Sequence, residues 1–417
     1  MKTNNKYLVP LILVISLFFL WAISANLLPT MIRQIMKTCE LTPFEASFTE
    51  SAYWLAYFIC PIPIAMFMKR YSYKAGIVFG LLVAAAGALL FFPGTIIKQY
   101  WFYLCIFFVI ATGMCVLETA ANPYVSALGD PSTATRRLNL AQSFNGLGAF
   151  VSAMFLSKLV LSGYTYTRET LPAGYPGGWA AYIDAETSQM KIPYMALAIM
   201  LIVIAVIFIF SKLPRILSEE STEGKLIDFR VLRRRHLRLG VIAQFFYNGG
   251  QTAINSLFLV YCCVYAGISE TQATTFFGIY MLAFLLDRWI GTWLMGYFKP
   301  HNMLAVYAVI NMLLCAVIMV FGGMVGIYAM IVVSFFMSIM YPTQFSLAIR
   351  DLGQETKSGS AFLVMAVVGN ACLPQLTAYI MTSHPSHYQM AYIVSLICFA
   401  VCAFYGFRGY KIKNKEN

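Results

Sequence analysis

The side chains of this 417-residue chain that could do chemistry lie where polar groups are hardest to keep. Glu118 stands in Leu117-Glu118-Thr119-Ala120-Ala121-Asn122-Pro123, inside an apolar run from Tyr100 to about Leu128. Placing a carboxylate at such a depth costs about 2.5–3.5 kcal/mol on insertion scales, and a low dielectric penalises its charged form. An acid there faces an internal cavity, finds a partner or holds a proton. Holding and releasing a proton at membrane depth is what a proton-coupled carrier requires. The alternative is a structural glutamate locked into a helix-packing hydrogen bond. Gln142 and Asn145, spaced i, i+3, share one helix face. Their amides suit sugar hydroxyls, or equally a bond to a neighbouring helix. Further on, Gln244, Tyr247, Asn248 and Gln251 lie on one broad helix face, which Asn255 extends by a turn. An aromatic ring beside amides is the chemistry of a sugar site, with Tyr247 and Gln251 as the strongest candidates. Asp287 and Arg288 are sequence neighbours within an apolar run and so face different ways. Arg288 is expected to reach a carbonyl or carboxylate on another helix, in a gating or structural role. Glu50 reads either as a solvated residue near the outer mouth or as a second acid.

Composition says what must position these groups. The chain is 60% hydrophobic and 11% charged, with a mean hydropathy of +0.72. Soluble domains carry about 25% charge, so this is a polytopic membrane protein. The net charge of +12 sits in short loops between apolar runs, the pattern of membrane orientation and not of nucleic-acid binding. Most of the ten cysteines lie in apolar runs, where they read as small buried hydrophobes. Neither a disulfide nor a metal site is expected. The run from Tyr7 to Leu28 is too long for a signal peptide and has many spans after it, so it reads as the first helix.

The apolar runs divide into twelve segments, at about 7–30, 44–68, 75–93, 100–128, 139–162, 192–211, 239–266, 272–298, 302–321, 324–349, 359–382 and 389–407. Pro61 and Pro63 are placed to kink the second, and Gly322-Gly323 makes a very short break between the ninth and tenth. With the N-terminus inside, 22 of the 29 Lys and Arg residues fall on the inner side, 6 on the outer side and Arg288 within a span. That excess puts both termini in the cytoplasm. A basic connection divides the chain into 1–212, a linker at 213–238, and 239–417. The halves echo each other weakly. Asn122-Pro123-Tyr124 precedes Leu128-Gly129 in the fourth segment, and Tyr341-Pro342-Thr343 precedes Leu352-Gly353 in the tenth. Such repeats are typical of secondary carriers. The stretch from Ser162 to Lys191, rich in Gly, Pro, Tyr and Trp, reads as a solvated outer cap.

One family fits this motif set. Ser16 to Ala22, Pro61-Ile62-Pro63 with Tyr73 to Ile77, Leu117 to Pro123, Arg137 to Asn145, Gly291 to Leu294, Phe336 to Ile339, Tyr341 to Thr343 and Leu352 to Lys357 run in order through nearly the whole chain. Together they resemble the fucose–galactose–glucose proton symporter family of the major facilitator superfamily, to which L-fucose permeases belong. The resemblance implies an all-α membrane protein of twelve transmembrane helices in two six-helix bundles, with a central sugar cavity and alternating access. It implies that Glu118 is the proton-linked glutamate, and that Gln142, Asn145 and Asn26 meet the sugar. The family's first-helix pattern, Asn-Asn-Leu-Asn-Asp, stands here as Ala25-Asn26-Leu27-Leu28-Pro29. Pro29 thus replaces an acid that works with the glutamate.

The leading expectation is a proton-coupled importer of L-fucose or a related hexose, set in the cytoplasmic (inner) membrane and working as a monomer without cofactor. An uncoupled facilitator or a carrier of another sugar is the alternative that Pro29 keeps open. An intramembrane enzyme is disfavoured, because His236, His301, His384 and His387 all lie in loops or at span ends and no nucleophile or zinc motif accompanies them.

Overall fold

Backbone groups in hydrocarbon must bond within their own segment, so each long apolar run becomes a helix. The computed structural model describes residues 5–41, 43–152, 168, 171–172, 174–211, 213 and 228–412. Among them the first span is Asn5–Cys39. The second is Pro43–Ile59 plus Pro61–Arg70, the third Tyr73–Leu89 plus Phe91–Ile97, and the fourth Tyr100–Ala127. The fifth is Ala134–Val151 and the sixth Lys191–Phe210. The seventh is Arg235–Val260, the eighth Glu270–Leu294 and the ninth Pro300–Phe321. The tenth is Gly323–Met337 plus Met340–Ala348, the eleventh Thr356–Met365 plus Gly369–Ser383, and the twelfth begins at Ile393–Phe404.

Packing repeats with a period of six spans. In the first half the third span packs on the fourth and sixth, the first on the fifth, and the second on the fourth. In the second half the ninth packs on the tenth and twelfth, the seventh on the eleventh, and the eighth on the tenth. Each pairing recurs six spans later, which makes two six-helix bundles of one design. The sequence echo around Asn122 and Tyr341 is the trace of this repeat.

Local breaks fall where the sequence places them. The second span bends by 41° at Cys60, because Pro61 has no N–H for the preceding turn. Gly322 and Gly323 both have positive φ, +59° and +46°, so two packed helices meet with hardly any connection. The first span does not stop near residue 30 but runs through Pro29 to Cys39. The fifth starts at Ala134, several residues earlier than its hydropathy suggests.

The outer cap is more ordered than its composition implies. Gly178–Gln189 is a helix whose Thr187 hydroxyl lies 3.2 Å from that of Thr38 on the first span. Glu40 Oε1 accepts from Arg168 Nε at 3.1 Å and Trp179 Nε1 at 3.0 Å. Lys98 pairs with Asp184. The guanidinium and indole hold the Glu40 carboxylate below its usual range. Most of the 213–238 linker lies outside the described residues. All ten cysteines are free thiols.

Small residues let the third and fourth spans touch backbone to backbone, the usual means of close helix approach in a membrane. A Cβ on Gly113 would lie 2.5 Å from Ala84 N and 2.6 Å from Gly80 O. Gly278, by contrast, has nothing within 4 Å. Gly113→Val should therefore lower the melting temperature in detergent sharply, with overpacking worth about 1–3 kcal/mol or more. Gly278→Ala should leave it within a degree or two. Equal tolerance at both sites would contradict the close contact.

Candidate functional site

Among the described residues, eight helices are long and apolar enough to cross a membrane, or nine with the bent second span. The three spans that miss that standard are the fifth, seventh and eighth. They carry Gln142 and Asn145, the Gln244–Gln251 face, and Asp287-Arg288. Their polarity converges on the interface between the two bundles.

Glu118 is buried on the fourth span and accepts a hydrogen bond from the Tyr341 hydroxyl of the tenth span, in the other bundle. Its second oxygen, Oε2, has no partner among the described residues. One turn further on, Asn122 Oδ1 accepts from Gln142 Nε2 at 3.0 Å. The amide oxygen of Gln142 faces the other bundle, where Arg288 Nη1 donates to it at 3.2 Å and to the Gln142 carbonyl at 2.9 Å. The guanidinium also lies over the Phe284 ring, 4.8 Å from its centroid. Arg288 is 4% exposed, yet its recorded hydrogen bonds go to neutral oxygens.

Asp287 turns the other way, into its own bundle. Its oxygens accept from Tyr307 at 3.1 Å and from the Ser338 hydroxyl. Adjacent helix positions thus serve two partners, one within the bundle and one across it. The helix break at Ser338–Ile339, just before Pro342, leaves Met337 O to accept from Tyr247 at 2.8 Å. Tyr247 is fully buried, and its ring lies 6.4 Å from that of Tyr341. Gln244 Nε2 donates to Tyr341 O at 3.3 Å. The tyrosine that meets Glu118 is therefore held by the seventh span.

Not every candidate joins this network. Asn145 and Gln251 are half-buried and make no hydrogen bond among the described residues. Asn26 donates to Ala22 O one turn back on its own helix at 2.8 Å. Asn255 accepts from Tyr280. Glu50 accepts from Trp54 Nε1 at 3.4 Å and lines a separate small cavity. Glu118 lies nine residues before the end of its span and Glu50 twenty before Arg70. At 1.5 Å rise per residue the two acids differ in depth by about 15 Å.

Nearer the end that carries the chain termini, the two bundles are laced together. Asn139 Nδ2 donates to Thr343 Oγ1 at 3.2 Å, and the Thr135 and Ser346 hydroxyls lie 2.9 Å apart. Deeper, beside Gln142, Ser143 Oγ donates to Arg288 O at 3.0 Å. Lys357 is buried, donates to Met68 O at 3.0 Å and sits over the Tyr73 ring. Tyr341, Asn122 and Lys357 were not singled out as site residues by the sequence. The signal for the first two was the repeat, which sets Asn122-Pro123 against Tyr341-Pro342.

Comparison with known proteins places this geometry. The chain is 38% identical to the L-fucose-proton symporter of Escherichia coli strain K12 over 405 residues, 95% of this chain and 92% of that one. It is 34% identical to the glucose/galactose transporter of Brucella abortus biovar 1, covering 95% of this chain and 92% of the relative. A crystal structure of the transporter FucP in the outward conformation superposes with a TM-score of 0.89 at 38% identity, covering 98% of this chain and 100% of the other. The Major Facilitator Superfamily model matches residues 11–373. With that match across most of its length, and two six-helix bundles joined through a polar interface, the chain belongs to the Major Facilitator Superfamily of transporters.

Proposed function

We propose that this chain imports a hexose, L-fucose or a close relative, together with a proton, by alternating access between its two bundles. The relatives named for fucose–proton symport and for glucose and galactose transport support the substrate class. The observation that carries the coupling is the hydrogen bond from Tyr341 to the buried Glu118 across the bundle interface. Ionised, Glu118 is a charge at membrane depth whose one hydrogen-bond partner among the described residues is a hydroxyl. Protonated, it is neutral and gains a donor of its own. Proton uptake removes the charge that resists reorientation, and sugar binding makes reorientation productive. One site suffices for one proton per sugar, so the loss of the first-helix acid to Pro29 leaves Glu118 as the coupling group. Glu50 lies too far toward the outer side to share its proton directly.

Gln142 and Asn145 on one wall, with Gln251 and Asn26 opposite or above, are proposed to read the sugar hydroxyls, and the Tyr247 region closes the floor. Gln142 already holds Asn122 and Arg288, so a sugar must displace Arg288 from it. That exchange is how Asp287-Arg288 would act as a gate. In this reading residues 1–212 and 239–417 are the moving bodies and 213–238 is the tether. Both termini lie in the cytoplasm, and the protein works as a monomer in the inner membrane bilayer. A facilitator is the second reading, favoured by Pro29 alone.

Glu118→Gln imitates the protonated acid and carries no exchangeable proton. Counterflow of labelled sugar should survive, and uphill uptake should vanish. In sealed vesicles, one charge moved through 100 mV is worth about 2.3 kcal/mol, or roughly 50-fold accumulation. A wild-type chain that equilibrates a sugar but never accumulates it is a facilitator. Accumulation persisting in Glu118→Gln would place the proton elsewhere.

Alanine at Gln142, Asn145 or Gln251 should weaken sugar binding by about 1–3 kcal/mol per lost buried hydrogen-bonding group. Calorimetric titration of the purified variants measures this directly. Variants with normal affinity and a lowered melting temperature would show that these amides serve packing.

A further inference from the structure

Toward the outer end of the bundle interface, about 15 Å above Glu118 by helix rise, lies a second group of polar side chains that the coupling scheme does not use. Glu50 and Trp54 from the second span face Ser256 of the seventh and Asn370 and Gln375 of the eleventh around a cavity of about 110 Å³. The parts are held in place. Trp54 Nε1 donates to Glu50 Oε1 at 3.4 Å, and the indole packs at 5.4 Å against Tyr57, whose hydroxyl accepts from Trp21 at 2.6 Å. Thr252 Oγ1 donates to Asn370 Oδ1 at 2.7 Å, which orients that amide. Gln375 and Ser256 make no hydrogen bond among the described residues, so their polar groups remain available to a ligand.

A carboxylate, two amides and a hydroxyl around an indole bind vicinal hydroxyls against a ring face, which is carbohydrate chemistry. Among the described residues no Lys or Arg lines the cavity, so it does not suit an anionic headgroup. Its volume corresponds to about three or four waters at roughly 30 Å³ each, enough for one edge of a pyranose and not for the whole ring. We propose that Glu50, Trp54, Asn370 and Gln375 form an outer sugar subsite, a clasp that takes one edge of the hexose before it descends to the Gln142 level. The proposal rests on the sugar-carrier reading and extends it. The clasp draws on both bundles, so a sugar held there also draws the outer ends of the second and eleventh spans together.

The test compares the two faces of the membrane, using whichever of L-fucose, D-galactose and D-glucose the wild-type chain transports. In right-side-out vesicles, Glu50→Ala and Asn370→Ala should raise the KM for entry about tenfold. In inside-out vesicles the KM for the same sugar should change less than twofold, because a sugar entering from the inner face meets the deep site first. Sugar should also shift the fluorescence of the wild-type protein by an increment missing in Trp54→Phe, which keeps an aromatic ring. An unchanged outer KM in folded, transporting variants overturns the subsite. So does an equal rise at both faces, since that would mark a packing role. Failure of the wild-type chain to transport any of the three sugars overturns the carrier reading itself, and is distinct from either outcome.

Discussion

A carboxylate cannot be left charged and alone in a low dielectric, and this protein meets that constraint with a partner from its other half. Glu118 and Tyr341 are 223 positions apart in the chain and belong to separate bundles. Their bond exists only while the fourth and tenth spans lie side by side. The helix break at Ser338–Ile339 and the grip of Gln244 on the Tyr341 carbonyl set where that hydroxyl points. Arg288, a buried cation of the other bundle, is engaged by Gln142. The acid and the cation are thus connected through amides on the fourth and fifth spans, and a change at one alters what the other can bind.

The hydropathy of the spans divides their labour. The apolar third and fourth spans pair by small residues such as Gly80 and Gly113, and the fourth also carries Glu118 to the interface. The fifth, seventh and eighth spans each carry a polar face, and those faces meet at the interface, where their amides and charges find one another. An unpaired polar group in hydrocarbon costs several kcal/mol, so those faces turn inward by exclusion as much as by attraction. The six-span repeat sets the geometry, because corresponding spans of the two bundles, the fourth and the tenth, bring Pro123 and Pro342 to the centre.

The architecture was legible because membrane thickness is a length that composition must satisfy. Twelve apolar runs, the Pro61 bend and the Gly322–Gly323 turn could all be read in one dimension. Glu118 was legible as an exception to its surroundings. Tyr341 was not, since a tyrosine in an apolar run is unremarkable until its partner is known, and nothing local names a partner two hundred residues away. The helix at Gly178–Gln189 was hidden by its glycine- and aromatic-rich surroundings. It is held by contacts to Thr38, Glu40 and Lys98, all distant in sequence. The role of Arg288 was half legible: its separation from Asp287 follows from helix geometry, but its choice of Gln142 does not.

The lacing near the chain termini has a thermal consequence. The contacts of Thr135, Asn139 and Lys357 across the interface are oriented hydrogen bonds and a cation on a ring, whereas hydrophobic contacts weaken on cooling. Opening that end breaks several such contacts together and releases the order that they impose, so enthalpy and entropy change in large, opposing amounts. The balance between the two faces of the carrier therefore shifts with temperature.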